Sequence, residues 1–218
     1  MYKKEIEVIP AILAKTEEEF KKKISLVPSA STIQIDIMDG KFVDNKTYPS
    51  LNLNILPLDK TIEYHLMVQD PYLWIESLPN GKKSIFQVHV ETITPAELEK
   101  IASLVEKKSS KLCLALNPDT PIATLEKLID VEQVLLMTVH PGKSGQKYIF
   151  EVEKKIKALR ELKKDIDIEI DGGANEQTAF GAINAGANKI VMASAIFSSP
   201  DPDKQYIYFK NLFNQNKK

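Results

Sequence analysis

Short apolar runs alternate with longer stretches of helical periodicity along almost the whole chain. Runs rich in Ile, Val and Leu and bounded by Pro, Gly, Asn or Asp predict strands over 5–13, 32–38, 61–67, 84–90, 111–116, 134–139, 166–170 and 189–193. Amphipathic stretches with helix-start signals lie between most of them. Thr16 precedes Glu17-Glu18-Glu19, and Thr94-Pro95, Thr120-Pro121 and Asn175-Glu176 each open a further helix. Strands joined by crossover helices pair in parallel, because antiparallel neighbours need no long connection. Eight of them favour a closed barrel over a doubly wound sheet, so the expectation is an α/β chain forming one (β/α)₈ TIM barrel over residues 1–218. Residues 40–60, with Pro49 and Pro57, break the rhythm and read as a long loop with at most a short helix. Residues 211–218 read as the frayed end of the last helix.

Strands buried on both faces are expected to be almost wholly apolar, and four of these are not. Gln34, Asp36 and Met38 alternate with isoleucines and so share one face; Glu63, His65 and Met67 do the same. Gln87, His89 and Glu91 repeat the pattern, as do Asp167, Glu169 and Asp171. The isoleucines suit the helix layer, which sends the polar faces into the barrel. There Asp36, His65, His89 and Asp171 fall near strand C-terminal ends, where barrels build their active sites. A satisfied buried hydrogen bond is explanation enough for His89 alone. Two buried carboxylates beside His65 need a shared reason, which a metal or a proton-transfer site supplies.

Glycine gives the second signal. Pro141-Gly142-Lys143-Ser144-Gly145-Gln146 follows the sixth strand, Asp171-Gly172-Gly173-Ala174-Asn175 the seventh, and Ala193-Ser194-Ala195 the eighth. Each alone is a turn. In this order at barrel strand ends, small-residue loops opening onto helices form an anion site and point to a phosphorylated ligand.

Composition removes several other functions. The formal charge of −1, from 29 basic and 30 acidic groups, gives no overall attraction to nucleic acid or anionic membrane, and Lys21-Lys22-Lys23 reads as a solvated helix face. The single cysteine, Cys113, lies in an apolar run without a local metal partner, as a buried structural thiol would. The N-terminus has no apolar leader and no stretch is long enough to span a bilayer, so the expectation is a soluble, cytoplasmic protein.

At this point the residues resemble a family. Asp36-Ile37-Met38-Asp39-Gly40-Lys41-Phe42-Val43, His65-Leu66-Met67-Val68 with Asp70-Pro71, Leu116-Asn117-Pro118-Asp119-Thr120-Pro121, Met137-Thr138-Val139-His140-Pro141-Gly142 and Glu169-Ile170-Asp171-Gly172-Gly173 are similar, in order, to motifs of the ribulose-phosphate 3-epimerases. The resemblance runs from about Ile9 to Phe197. It implies a ribulose-phosphate-binding barrel, a small sugar phosphate as partner, and one divalent metal ion (Zn, Mn, Fe or Mg) held by two histidines and two aspartates that also move protons. Carried over, Asp36 takes the C3 proton, Asp171 returns one from the opposite face, and Asp36, His65 and Asp171 are metal ligands. Met38, Met67 and Met137 line the substrate, although core packing would explain any one of them. Gly142 and Gly145 belong to a lid and, with Gly172, Gly173, Ala193 and Ser194, to the phosphate site. A homo-oligomer is compatible with such a barrel.

The chain departs from the pattern at several places. Gln34 stands where the family has a metal-binding histidine, and an amide oxygen serves manganese or magnesium better than zinc. Ala11 replaces a serine, Lys143-Ser144 a Phe-Gly pair in the lid, and Ala193 a glycine at the phosphate. These departures leave open a phosphosugar-binding protein without turnover, and substrate length leaves open a hexulose-phosphate epimerase. A decarboxylase of the wider barrel group is disfavoured, because Met38 occupies its lysine position. Lys111 and Lys189, at strand beginnings, are misplaced for a Schiff-base aldolase.

Overall fold

The computed structural model describes residues 4–47, 56–57, 59–78, 84–127, 130–143 and 145–215. Eight parallel strands close into a barrel in chain order, β8 pairing back onto β1. They are β1 Glu7–Ile12, β2 Thr32–Met38, β3 Thr61–Met67, β4 Ser84–His89, β5 Lys111–Leu116, β6 Gln133–Met137, β7 Asp167–Asp171 and β8 Lys189–Met192. Around them run α1 Glu17–Ser25, α2 Pro71–Ser77, α3 Pro95–Lys107, α4 Val152–Leu162, α5 Glu176–Ala185, the short α6 Ser194–Phe197 and α7 Pro202–Asn214.

The helix starts follow from local chemistry. The Thr16 and Thr94 hydroxyls accept the N–H of Glu19 and Glu97, and Glu97 reaches back to the Thr94 N–H, closing a capping box. Asn175 and Thr178 make the same reciprocal pair at α5. Thr120-Pro121 does not open an α-helix. Ile122–Lys127 is 3₁₀, and the Thr120 hydroxyl donates to the Glu91 carboxylate. Of the 40–60 segment, residues 48–55 and 58 lie outside the described residues; the described part holds an isolated antiparallel bridge between Asp39 and Lys46. The last helix ends at Asn214.

The strand alternation divides the core in two. Ile33, Ile35 and Ile37 of β2 face outward with Tyr64, Phe86, Leu114 and Ile168 and pack against the helices. Inside the barrel the residues stack in layers. Near the N-terminal ends, Lys189 is the centre of a buried ionic layer: its Nζ lies 2.6 Å from Glu63 and 2.9 Å from Gln133. Gln133 and Gln87 donate to opposite oxygens of Glu169 at 2.6 and 2.8 Å. Burial and the charge of Glu63 push the Glu169 carboxyl well up, against the pull of Lys189. Leu135, Ala115 and Cys113 form an apolar cluster beside this layer, with Cys113 in register with Gln87 and Gln133.

Candidate active site

Parallel register brings together the polar and methionine side chains at the strand C-terminal ends. Asp36 pairs with His65, Met38 with Met67, and Met137 with Asp171 across neighbouring strands. Closing the barrel then sets β2 and β7 on either side of the β1–β8 seam, so Asp36 and Asp171 meet at one point. One carboxylate oxygen from each and His65 Nδ1 lie within 4.8 Å of one another. His65 Nδ1 is 3.4 Å from Asp36 Oδ1 and 3.3 Å from Asp171 Oδ2. Gln34 reaches the same point from two residues down β2, its Nε2 donating to both carboxylates at 2.8 Å.

Burial sets the electrostatics. It pushes the Asp36 carboxyl up, helped by the charge of Asp171 and opposed by His65 and Gln34. On His65, burial acts downward but is overcome by the hydrogen bonds and charges of Asp171 and Asp36, which raise the imidazole to about 9. Behind His65 stands a second imidazole: His65 Nε2 is 2.9 Å from His89 Nε2, and His89 Nδ1 is 3.2 Å from Glu91 Oε2. Burial holds His89 down, toward its neutral form. Glu91 is fixed in turn by the Asn117 N–H at 2.8 Å and the Thr120 hydroxyl. A neutral His89 giving its Nδ1 proton to Glu91 offers Nε2 as an acceptor to His65 Nε2–H, which leaves His65 Nδ1 toward the carboxylates.

The cleft above this centre is lined by Asp36, Asp171, Met38, Met67 and Met137, by Gly142 and Gly145, and by Gly172, Gly173, Ala193 and Ser194. Gln34 and His65 lie beneath it, fully buried. Gly172 and Gly173 both have positive φ, and a Cβ on Gly173 would stand 2.7 Å from the Tyr148 nitrogen, so the loop after β7 needs both glycines. Ala193 has φ −104°, a conformation that does not require glycine, and its methyl packs with Ile9, Ala11 and Val191. Ala11 faces the cleft from β1. The loop after β6 covers the mouth. It is held by Asn45 Nδ2 on the Gly142 carbonyl at 3.1 Å and by Gln146 Nε2 on the His140 and Lys143 carbonyls at 2.6 and 2.9 Å. Lys143 lines the cleft, while Ser144 lies outside the described residues.

All the site residues singled out in the sequence therefore fall around one cleft and its floor. Sequence reasoning missed the His65–His89–Glu91 chain, Asn45 on the loop, and Lys189 as the cation of the lower layer. The polar alternation on β4 carried the signal for the first of these. Asn45 and Lys189 gave none, because each reads as an ordinary surface residue.

Asp36, His65 and Asp171 form a centre that fits a divalent cation. Two carboxylate oxygens and an imidazole nitrogen gathered at one point are the donor types that divalent cations take.

Fold and rim together define a (β/α)₈ enzyme with a carboxylate–histidine centre beside a glycine-lined pocket. The barrel superposes on 3-hexulose-6-phosphate synthase from Salmonella typhimurium with a TM-score of 0.73 at 14% identity, covering 96% of this chain and 99% of that one. It superposes on KGPDC from Streptococcus mutans with a TM-score of 0.77 at 12% identity, covering 99% and 100%. At such identities the likeness is one of fold. The particular family follows from sequence: the chain belongs to the ribulose-phosphate 3-epimerase family, whose model matches residues 7–197. It is 37% identical to the ribulose-phosphate 3-epimerase of Bacillus subtilis, over 91% of this chain and 95% of the relative. It is 36% identical to that of Synechocystis, over 91% and 90%.

Proposed function

We propose that this chain is a ketose-phosphate 3-epimerase that interconverts D-ribulose 5-phosphate and D-xylulose 5-phosphate. The observation that carries this reading is the meeting of two carboxylates, Asp36 and Asp171, from opposite sides of the β1–β8 seam at one buried point. Inverting a carbon next to a carbonyl needs a base on one face of that carbon, an acid on the other, and stabilisation of the enediolate between them.

Asp36 takes the C3 proton and the C–H electron pair moves into the C2–C3 bond, leaving an enediolate. Asp171 returns a proton to C3 from the other face, and the two exchange roles in the reverse direction. His65, oriented from behind by His89 and Glu91, presents Nδ1 to the carboxylates and holds their positions. Asp36, His65 and Asp171 would hold a divalent cation, with Gln34 beside them, and that ion would supply Lewis-acid stabilisation of the developing oxyanion. Met38, Met67 and Met137 give the sugar a polarizable apolar wall that excludes water. Gly172, Gly173 and the first turn of α6 at Ser194 offer backbone N–H groups to the phosphate, with Lys143 adding charge from the loop.

The test is interconversion of the two pentulose phosphates by purified protein carrying a defined metal. Turnover is expected, and Asp36→Asn and Asp171→Asn are each expected to reduce kcat by about 10²–10⁴-fold. A folded wild-type protein that shows no turnover with any divalent metal would overturn the reading.

A further inference from the structure

Gln34 presents a contradiction. Its terminal nitrogen points into the Asp36–His65–Asp171 centre, 2.8 Å from each aspartate and 3.4 Å from His65 Nδ1, yet an amide nitrogen has no lone pair to give a metal. Its oxygen, Oε1, is buried and accepts no hydrogen bond from any described residue. A carbonyl oxygen left without a partner in a closed interior is costly, and side chains of this kind are normally satisfied.

Rotating the amide by half a turn exchanges the two atoms, setting the NH₂ group where Oε1 stood, so the turn is favourable only if the oxygen gains a strong partner at the centre. Oε1 then takes the position that faces Asp36, His65 and Asp171. With nothing positive between them, that places a third acceptor about 2.8 Å from two carboxylates, which is repulsive. With a cation between them it completes a four-donor set. We infer that Gln34 is a two-state ligand: its NH₂ group bridges Asp36 and Asp171 when the centre is empty, and its amide inverts to place Oε1 on a divalent cation when one binds. This rests on the cation-assisted reading above and adds two properties to it. The emptied centre stays assembled, because the amide supplies the positive dipole the carboxylates need. The loaded centre carries three oxygens and one nitrogen, a set that favours manganese or magnesium over zinc more than a two-histidine set would.

Three full-length variants separate the two roles, read by calorimetric titration with Mn²⁺ or Zn²⁺ and by thermal unfolding of chelator-treated protein. Gln34→Leu removes both roles. It is expected to weaken Mn²⁺ binding by about tenfold or more and to lower the unfolding midpoint of stripped protein by about 5 °C. Gln34→Glu keeps the oxygen and removes the donor, so Mn²⁺ binds at least as tightly while the stripped midpoint still falls. Gln34→His is expected to shift the Zn²⁺-to-Mn²⁺ affinity ratio toward zinc by about tenfold. In ¹⁵N-glutamine-labelled wild type, Mg²⁺ or Zn²⁺ moves the Gln34 side-chain NH₂ resonance away from its strongly hydrogen-bonded position. Unchanged metal affinity in Gln34→Leu, an unchanged stripped midpoint in Gln34→Glu, or an unmoved NH₂ resonance each overturns the inference. If Gln34→Leu does not fold, the Glu and His variants and the resonance still decide it. None of these readouts is turnover, so a protein that binds metal as described but epimerises nothing contradicts the proposed function and leaves this inference standing.

Discussion

Asp36, His65 and Asp171 were legible in the sequence because a strand has a period of two. A polar residue every second position in an otherwise Ile-rich strand has only the barrel interior to enter, and the one nearest the C-terminal end must reach the rim. The same rule turns Gln34 into the barrel, but which of its two amide atoms faces the carboxylates is a matter of hydrogen bonding that no residue spacing encodes. Lys189 was illegible for another reason. A lysine opening a strand reads as a solvated end, whereas here it is buried and flanked by Glu63 and Glu169. Removing it leaves two buried carboxylates without their cation. Lys189→Met is therefore expected to cost about 3–5 kcal/mol at pH 7. The loss should shrink as pH falls, because Glu169, whose carboxyl burial already pushes well up, takes a proton more readily once the cation is gone. Urea unfolding across a falling pH series measures the change, and an equal loss throughout would mean that the ionic layer is not what the lysine sustains.

At the scale of elements, the strands were legible almost to their ends, while connections were legible only where a cap or a glycine imposed them. Thr94-Pro95 and Asn175 are caps in sequence and in structure. Thr120-Pro121 carries the same signal but opens a 3₁₀ turn, and its hydroxyl donates to Glu91, a residue brought to it by the barrel. The loops after β6 and β7 interlock in the same way, with Gly173 against the backbone of Tyr148, just beyond the lid. Gly173→Ala forces a methyl into that contact at φ +63°. The account expects KM for the sugar phosphate to rise by about tenfold or more with the fold retained, since displacing this loop moves the phosphate-facing amides. Circular dichroism with steady-state kinetics tests this; an unchanged KM would place the phosphate elsewhere.

For the whole molecule, closure of the barrel holds residues from β2, β3 and β7 in one centre, and the N-terminal segment is tied to the same cylinder. Lys4 Nζ lies 2.6 Å from Asp167 Oδ1 at the start of β7, and Asn188 Nδ2 donates to that oxygen at 2.9 Å. Burial acts upward on the Asp167 carboxyl, but these hydrogen bonds and the Lys4 charge outweigh it and hold the carboxyl below its ordinary value. A carboxyl depressed in the folded state stabilises the fold above the unfolded value, about pH 3.9, and loses that contribution as pH falls through the lower folded value. Asp167→Asn is therefore expected to be less stable than wild type from neutral pH down to about pH 4. The gap should narrow below that point. Urea midpoints from pH 7 to pH 3 check the sign, and a gap that widens toward acid would contradict it. Among the described residues no helix is long and apolar enough to cross a membrane.

The most direct test of the central claim, that Asp36 and Asp171 move one proton each at C3, is turnover in D₂O followed by NMR of the pentulose phosphates. The account predicts that epimerised product gains deuterium at C3 and at no other carbon. It also predicts that Asp36→Asn and Asp171→Asn both lose epimerisation while keeping the fold. Product formed without deuterium at C3, or full turnover by either asparagine variant, would contradict it.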